Sequence, residues 1–247
     1  MESKYSMHTT NSWNNEQIAK EYAELEFHNT YHLAYRDLPE IISKHVSANK
    51  ALDFGCGTGR STRFIEMLGF DVIGIDIAEN MLAQARQINP TGHYELVTNN
   101  NYAHLGIGQF DFIQSIFTFD NIFGLETRLN ILKNLIKLLK PEGKMICLDA
   151  NPMLYHNESA SFSTKDFPEN RTAKTGDTVK VIMNDLEDKT PIADVYWTEN
   201  DYLELFKQAG FKVEATYRPL GKANEPFNWI METTIPPWLI FVLENHN

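Results

Sequence analysis

The stretch Lys50-Ala51-Leu52-Asp53-Phe54 runs without a break into Gly55-Cys56-Gly57-Thr58-Gly59, and no other segment narrows the fold as much. A short apolar run that ends in alternate glycines reads as a buried strand delivered into a tight turn. A turn so poor in side chains leaves backbone N–H groups and open space at the end of a strand, where a small ligand can reach the main chain. Ser61 then opens a helix carrying Phe64, Ile65, Met67 and Leu68, and Gly69 ends it as a C-terminal glycine does.

The alternation continues along the chain. Phe70 to Asp76 reads as a second strand, Glu79 to Ile88 as a helix, Tyr94 to Thr98 as a third strand and Phe110 to Phe117 as a fourth. The fourth is apolar almost throughout, which suits the centre of a sheet. Leu125, Leu129, Leu132, Leu135, Ile136 and Leu139 mark one face of an amphipathic helix closed by Lys140-Pro141-Glu142-Gly143, and Lys144 to Asp149 forms a fifth strand. Strands and helices alternating at short spacing, less regularly after the second helix, predict an α/β fold, a parallel sheet covered by helices on both faces.

The flanks read differently. Residues 1–15 are polar, and a helix starts near Glu16; two helices, broken near Asn29 and again before Pro39, form an N-terminal helical cap over residues 1–47. Residues 151–197 leave the rhythm of the 48–150 core, and Thr178 to Met183 with Ala193 to Trp197 predict an inserted hairpin. Thr198-Glu199-Asn200-Asp201 has capping-box form and starts a helix that ends at Gly210. Phe211 to Tyr217 and Trp238 to Leu243 are a closing pair of strands, separated by a long connection through Trp229 and Pro236-Pro237. At 247 residues the whole is expected to be one domain.

Composition narrows the partners. Lys and Arg number 22 against 33 Asp and Glu, a formal charge of −11, which works against a nucleic-acid substrate. The N-terminus lacks a signal-type apolar core and no later stretch is apolar for a membrane span, so a cytoplasmic protein without membrane partners is expected. Cys56 and Cys147 read as buried free thiols, with no metal site. A monomer and a homodimer both stay open.

The chemistry follows from spacing. A dinucleotide fingerprint requires a third glycine three residues after the second, where this chain has Arg60; its own third glycine is Gly59. Asp53 opens the motif, and a carboxylate there can accept from a ligand ammonium group, which a pyrophosphate would not supply. Asp76 ends the second strand, where a carboxylate accepts hydrogen bonds from ribose hydroxyls. An acid at this place is the expectation for a nucleoside ligand and does not name which one.

Taken together, Leu52 to Gly59, Gly74-Ile75-Asp76-Ile77-Ala78-Glu79-Asn80-Met81-Leu82, Phe110-Asp111-Phe112-Ile113 and Leu138-Leu139-Lys140-Pro141-Glu142-Gly143-Lys144 resemble the class I (Rossmann-like) S-adenosylmethionine-dependent methyltransferases of small-molecule type. The resemblance covers roughly residues 48–150, with four motifs in order. It implies a seven-stranded, mostly parallel sheet with one antiparallel edge strand, S-adenosyl-L-methionine across the ends of the first, second and fourth strands, and methyl transfer as the reaction. By position, Gly55, Cys56, Gly57 and Gly59 would approach the methionine and ribose, Asp76 the ribose, and Ile77 and Met81 the adenine. Asn100 falls where the family usually has Asp at the adenine amino group, and Ser115 where it uses backbone near the sulfonium. Relatives also cover the methionine with an N-terminal helix, which makes Tyr22 and Arg36 candidates.

An Asp/Asn-Pro-Pro-aromatic run after the fourth strand marks enzymes that methylate DNA bases or glutamine; this chain has Ser115-Ile116-Phe117-Thr118-Phe119-Asp120 instead. Phe117, Phe119 and Phe123, with the insert and the N-terminal helices, suit a lid over a small, partly apolar acceptor. A base is needed only if the acceptor must lose a proton, and His28, His32, Asp120, Tyr155 and His156 are the candidates. The competing readings are a binding or regulatory module that keeps the cofactor pocket without turnover, and a nicotinamide-dependent oxidoreductase, against which Asp53 and Arg60 argue.

Overall fold

A computed structural model describes Trp13, residues 15–98 and residues 102–245. Seven strands form the main sheet: β1 (Lys50–Phe54), β2 (Asp71–Asp76), β3 (His93–Leu96), β4 (Phe110–Ile116), β5 (Leu139–Ala150), β9 (Phe211–Tyr217) and β10 (Trp238–Asn245). Their order is β3-β2-β1-β4-β5-β10-β9. β1 pairs in parallel with β2 on one side and β4 on the other, so the chain reverses direction across the sheet at β1. Such a switch point opens a crevice at the strands' C-terminal ends.

Side chains of the central strands alternate between two cores. Ala51, Phe112, Ile146 and Leu148 face one side with α2 (Thr30–Tyr35), α3 (Leu38–His45) and α4 (Arg60–Met67). Leu52, Ile113, Met145 and Cys147 face the other with α6 (Leu125–Leu138) and α7 (Glu199–Ala209). Period-two alternation with both faces apolar is what a doubly covered sheet requires. Both cysteines are buried and free, as expected.

The antiparallel strand is β10, which opposes both β5 and β9 and lies one place in from the edge. The reason is the route of the chain: α7 crosses over to lay β9 at the edge, and β10 turns back into the gap beside β5. α7 begins with the predicted capping box, Thr198 Oγ1 accepting from Asp201 N and Asp201 Oδ2 from Thr198 N, and ends at Gly210 with φ 96°. β5 starts at Leu139 rather than Lys144, because Leu139 already pairs with Phe110 across a bulge.

The N-terminal cap holds three helices, not two: α1 (Glu16–Glu24), α2 and α3. Asn29 sits at φ 48° and separates α1 from α2. Pro39 lies in the first turn of α3, where its missing N–H costs nothing, so it starts a helix there. The predicted hairpin is β7 (Thr178–Met183) with β8 (Ile192–Val195), joined by β6 (Phe162–Ser163) into a separate antiparallel sheet. α5 (Glu79–Ile88) follows β2 as expected. Among the described residues no helix is long and apolar enough to cross a membrane, and no group of His, Cys, Asp and Glu could hold a metal.

Candidate functional site

The glycine turn is held open by its backbone. Gly55, Gly57 and Gly59 have φ of 73°, 53° and 78°, a region where L side chains are strained. A Cβ on Gly55 would overlap Thr118, and one on Gly59 would lie 2.7 Å from Tyr94 Oη. The amides of Gly55 and Cys56 donate to Ile75 O at 2.8 and 3.0 Å, tying the turn to β2. At the end of β2, Asp76 Oδ2 accepts from Gly57 N and Oδ1 from Ala78 N, both at 2.8 Å. Burial pushes this carboxyl above its usual range, and the amides of Ala78, Gly57 and Ile77 pull the other way. Two fixed N–H donors orient the carboxylate and leave each oxygen a lone pair for a ligand.

A cavity of about 610 Å³ opens over this turn, bounded by α1, the ends of β1, β2 and β4, and Ala193 of the insert. Its size is that of a cofactor or drug-sized ligand. Of the residues singled out in the sequence, Tyr22, Gly55, Cys56, Gly57, Asp76, Ile77 and Met81 line it. Ile77 is 63% exposed beside buried Met81, an apolar shelf open to the cavity.

The other candidates lie elsewhere. Arg36 stays outside the cavity, paired with Asp37 at 2.7 Å and Glu225 at 2.8 Å and donating to Leu220 O. Asp53 is fully buried behind the turn, where Oδ2 accepts from Ser61 Oγ at 2.7 Å and Thr62 Oγ1 at 2.6 Å. Burial lifts its carboxyl to about 6. It fastens the turn to the start of α4 and does not face the cavity. Gly59 shapes the turn without lining the cavity, and Ser115 is buried with an unpaired Oγ beneath Ile116 and Phe117, which do line it. Asn100 lies outside the described residues.

One cavity-lining charged side chain was not among the residues the sequence singled out as binding. Arg60, just past the glycines, is 4% exposed and lines the cavity. Its guanidinium carbon lies 4.7 Å from the Tyr31 ring centre, 5.0 Å from Tyr22, 5.6 Å from Tyr35 and 5.9 Å from Phe117. Nη2 donates to Tyr22 Oη at 2.8 Å, Nη1 to the carbonyls of Leu25 and Glu26 at 3.3 Å, and Nε has no partner. No carboxylate among the described residues pairs with it. A buried cation without a counter-ion is costly unless a ligand anion completes it. The one sequence signal was a lone arginine at a helix start, which normally marks a solvated residue.

Phe117 turns the chain away from β4 at φ 57°, a rare conformation for a bulky residue. Asn121 Nδ2 donates to its carbonyl at 3.1 Å, and Asn121 Oδ1 accepts from Trp13 Nε1 at 2.8 Å, so the N-terminal segment closes over this corner. Past Phe117 a second recess of about 60 Å³ continues from the cavity. Of the candidate bases, Asp120 lines that recess. His32 stands 3.5 Å from Glu225, His156 stacks on Tyr196, and Tyr155 donates to Asp194; none of these lines either space.

The arrangement suits an elongated ligand: an anionic end at Arg60, hydroxyls at Asp76 and a flat apolar end on Ile77 and Met81. The profile of a family described as a methyltransferase domain matches residues 52–145. The chain is 25% identical over 218 residues to the N-demethylindolmycin N-methyltransferase of Streptomyces griseus, covering 83% of this chain and 88% of that protein. Its fold matches the CcbJ methyltransferase of Streptomyces caelestis with a TM-score of 0.66 at 15% identity, over 96% of this chain and 99% of the other. It also matches an S-adenosylmethionine-dependent methyltransferase of Clostridium acetobutylicum with a TM-score of 0.60 at 14% identity, over 92% and 94%.

Proposed function

The chain belongs to the class I S-adenosylmethionine-dependent methyltransferases, and on that premise we propose that it methylates a small molecule enclosed between the N-terminal helices and the insert. The observation that carries this reading is the covering of the cavity: Trp13 and Tyr22 from the N-terminal side and Ala193 from the insert all stand on its wall. An acceptor must fit beneath them. The formal charge of −11 also disfavours a polyanion, and the name of the Streptomyces griseus relative gives that enzyme a small acceptor, N-demethylindolmycin.

Within this reading each part of the cavity has a role. Arg60 and Tyr22 hold the α-carboxylate of the cofactor, the turn from Gly55 to Gly59 lies along its methionine and ribose, Asp76 accepts from the ribose hydroxyls, and Ile77 and Met81 pack on the adenine. The bound cofactor supplies a sulfonium methyl whose leaving group is a neutral thioether. The protein therefore gains most of its rate by fixing the acceptor in line and excluding water, without a dedicated nucleophile. Phe117, Tyr22 and Trp13, shared by the cavity and the recess beyond it, form the dry boundary where the two reactants meet.

The test is S-adenosylhomocysteine release from S-adenosylmethionine, measured against fractionated small metabolites, protein and nucleic acid. Release with a small-molecule fraction, abolished in Asp76→Ala, is expected. Release only with macromolecular fractions would sink the proposal.

A further inference from the structure

The recess beyond Phe117 is walled by aromatic rings and by aliphatic side chains such as Leu154, Val181 and Ile192. Phe117 and Trp238 lie 4.6 Å apart between ring centres, Tyr31 and Phe162 5.5 Å, and Phe162 and Trp238 5.8 Å. Two acidic residues line this apolar space: Asp120 from the turn after β4 and Asp194 from β8. Asp120 accepts from Tyr202 Oη at 3.0 Å and from Ala150 N at 2.9 Å. Asp194 Oδ2 accepts from Tyr155 Oη at 3.1 Å, and its Oδ1 has no partner among the described residues. Tyr31, 3% exposed and on the same wall, has a hydroxyl with no hydrogen-bond partner among the described residues. No Lys, Arg or His lines the recess.

Resting on the methyltransferase reading, we propose that this recess is an ammonium subsite: the acceptor is a small amine, its protonated nitrogen seated between Asp194, Asp120 and the Tyr31 hydroxyl against aromatic faces. The residue chemistry fits a cation and little else. Carboxylates accept the N–H bonds of an ammonium, and the ring faces of Trp238, Phe162 and Phe117 attract it. A neutral hydroxyl would favour the charged form of these acids less than an ammonium does, and an anion would be repelled by it. The volume of about 60 Å³ is roughly that of two liquid waters, room for an amino group and an adjoining carbon, with the body of the acceptor extending toward the main cavity.

Two guanidinium groups stand near the recess without lining it: Arg60, 4.7 Å from the Tyr31 ring centre and 5.9 Å from that of Phe117, whose charge the cofactor carboxylate would offset, and Arg128. Arg128 is buried behind these residues, its guanidinium 4.1 Å from the Trp197 ring centre and its Nε donating to Ile122 O. It stands near three buried carboxyl groups, Asp120, Asp149 and Asp194, and bonds directly to none of them. Burial holds all three above the usual carboxylate range, with their mutual repulsion adding to it for Asp149 and Asp194. An ammonium in the recess would offset that repulsion.

The experiment is calorimetric titration of the full chain, saturated with S-adenosylhomocysteine, with ethylamine, benzylamine and 2-phenylethylamine, each beside its alcohol: ethanol, benzyl alcohol and 2-phenylethanol. The amines are expected to bind at least about tenfold more tightly than their alcohols, because a charge-assisted hydrogen bond separates the pairs. Asp194→Asn, which keeps an acceptor for Tyr155, should bring each pair to within about threefold. Tyr31→Phe should fall between. S-adenosylhomocysteine binding that is unchanged in both variants shows that they are folded. Alcohols that match amines, absence of binding by every amine, or a preference that survives Asp194→Asn would each overturn the subsite. If S-adenosylhomocysteine fails to bind the unaltered chain, the methyltransferase reading falls, and the subsite with it; binding with indifference to amines refutes the subsite alone.

Discussion

Arg60→Met separates what the guanidinium does for the fold from what it does for the ligand. In the unliganded chain the substitution removes three donated hydrogen bonds and the faces of four rings, and it also removes a buried charge without a counter-ion. The flexible methionine keeps most of the packing. Desolvation of an ion costs several kcal/mol, and exchange for an apolar group is often neutral or stabilising, so unfolding free energy should change by no more than about 1 kcal/mol. With ligand the sign is unambiguous. Breaking one side of a desolvated charge pair costs about 2–5 kcal/mol, and a cavity open to solvent argues for the lower part, ~3 kcal/mol. That is roughly a 100-fold rise in Kd. Calorimetry should show this loss for S-adenosylhomocysteine and a change of no more than about threefold for 5′-methylthioadenosine, which lacks the carboxylate Arg60 would hold. Equal losses for both ligands, or none for either, would refute the assignment.

Three further outcomes follow from the same geometry. Tyr22→Phe removes the 2.8 Å partner of Arg60 Nη2 and should weaken S-adenosylhomocysteine by about fivefold, close to 1 kcal/mol, in the same titration. Gly59→Ala places a methyl in the left-handed region at φ 78° and 2.7 Å from Tyr94 Oη, so thermal unfolding should show a loss of about 2 kcal/mol; an unchanged melting temperature would contradict this. Asp53 binds its proton more tightly when folded, about 6 against 3.8. The stability it contributes is therefore complete below pH 3.8 and is lost as pH rises through about 6, an effect of ~3 kcal/mol at most. Urea titrations across that window should show a shallower decline in Asp53→Asn than in the unaltered chain, and parallel slopes would refute the linkage.

The turn and the strand ends were legible in the sequence because local backbone chemistry dictates them. Alternate glycines after an apolar run have few other uses, and the acid ending β2 stands beside them through parallel pairing of Asp53 with Gly74. What was not legible depended on distant chain segments. Arg60 looks like a solvated residue at a helix start until Tyr22, Tyr31 and Tyr35 fold over it from the N-terminal helices. Arg36, on those helices, looked better placed, yet Asp37 and Glu225 hold it at the surface. Asp53 keeps the position the motif gives it, but Ser61 and Thr62 reach it first. Asp194 had no motif at all; only the pairing of β8 with β7 and the packing of the insert bring it to the recess.

The most direct test of the central claim is calorimetric titration of the purified chain with S-adenosylhomocysteine and, separately, with NAD, repeated on Asp76→Ala. Asp76 accepts from Gly57 N and Ala78 N and is aimed at the cavity; losing two charge-assisted hydrogen bonds from a ribose is worth ~3 kcal/mol. Binding of S-adenosylhomocysteine that weakens roughly 100-fold in the variant, with no heat from NAD, is the predicted result. NAD binding in its place, or S-adenosylhomocysteine binding indifferent to Asp76, would contradict the account.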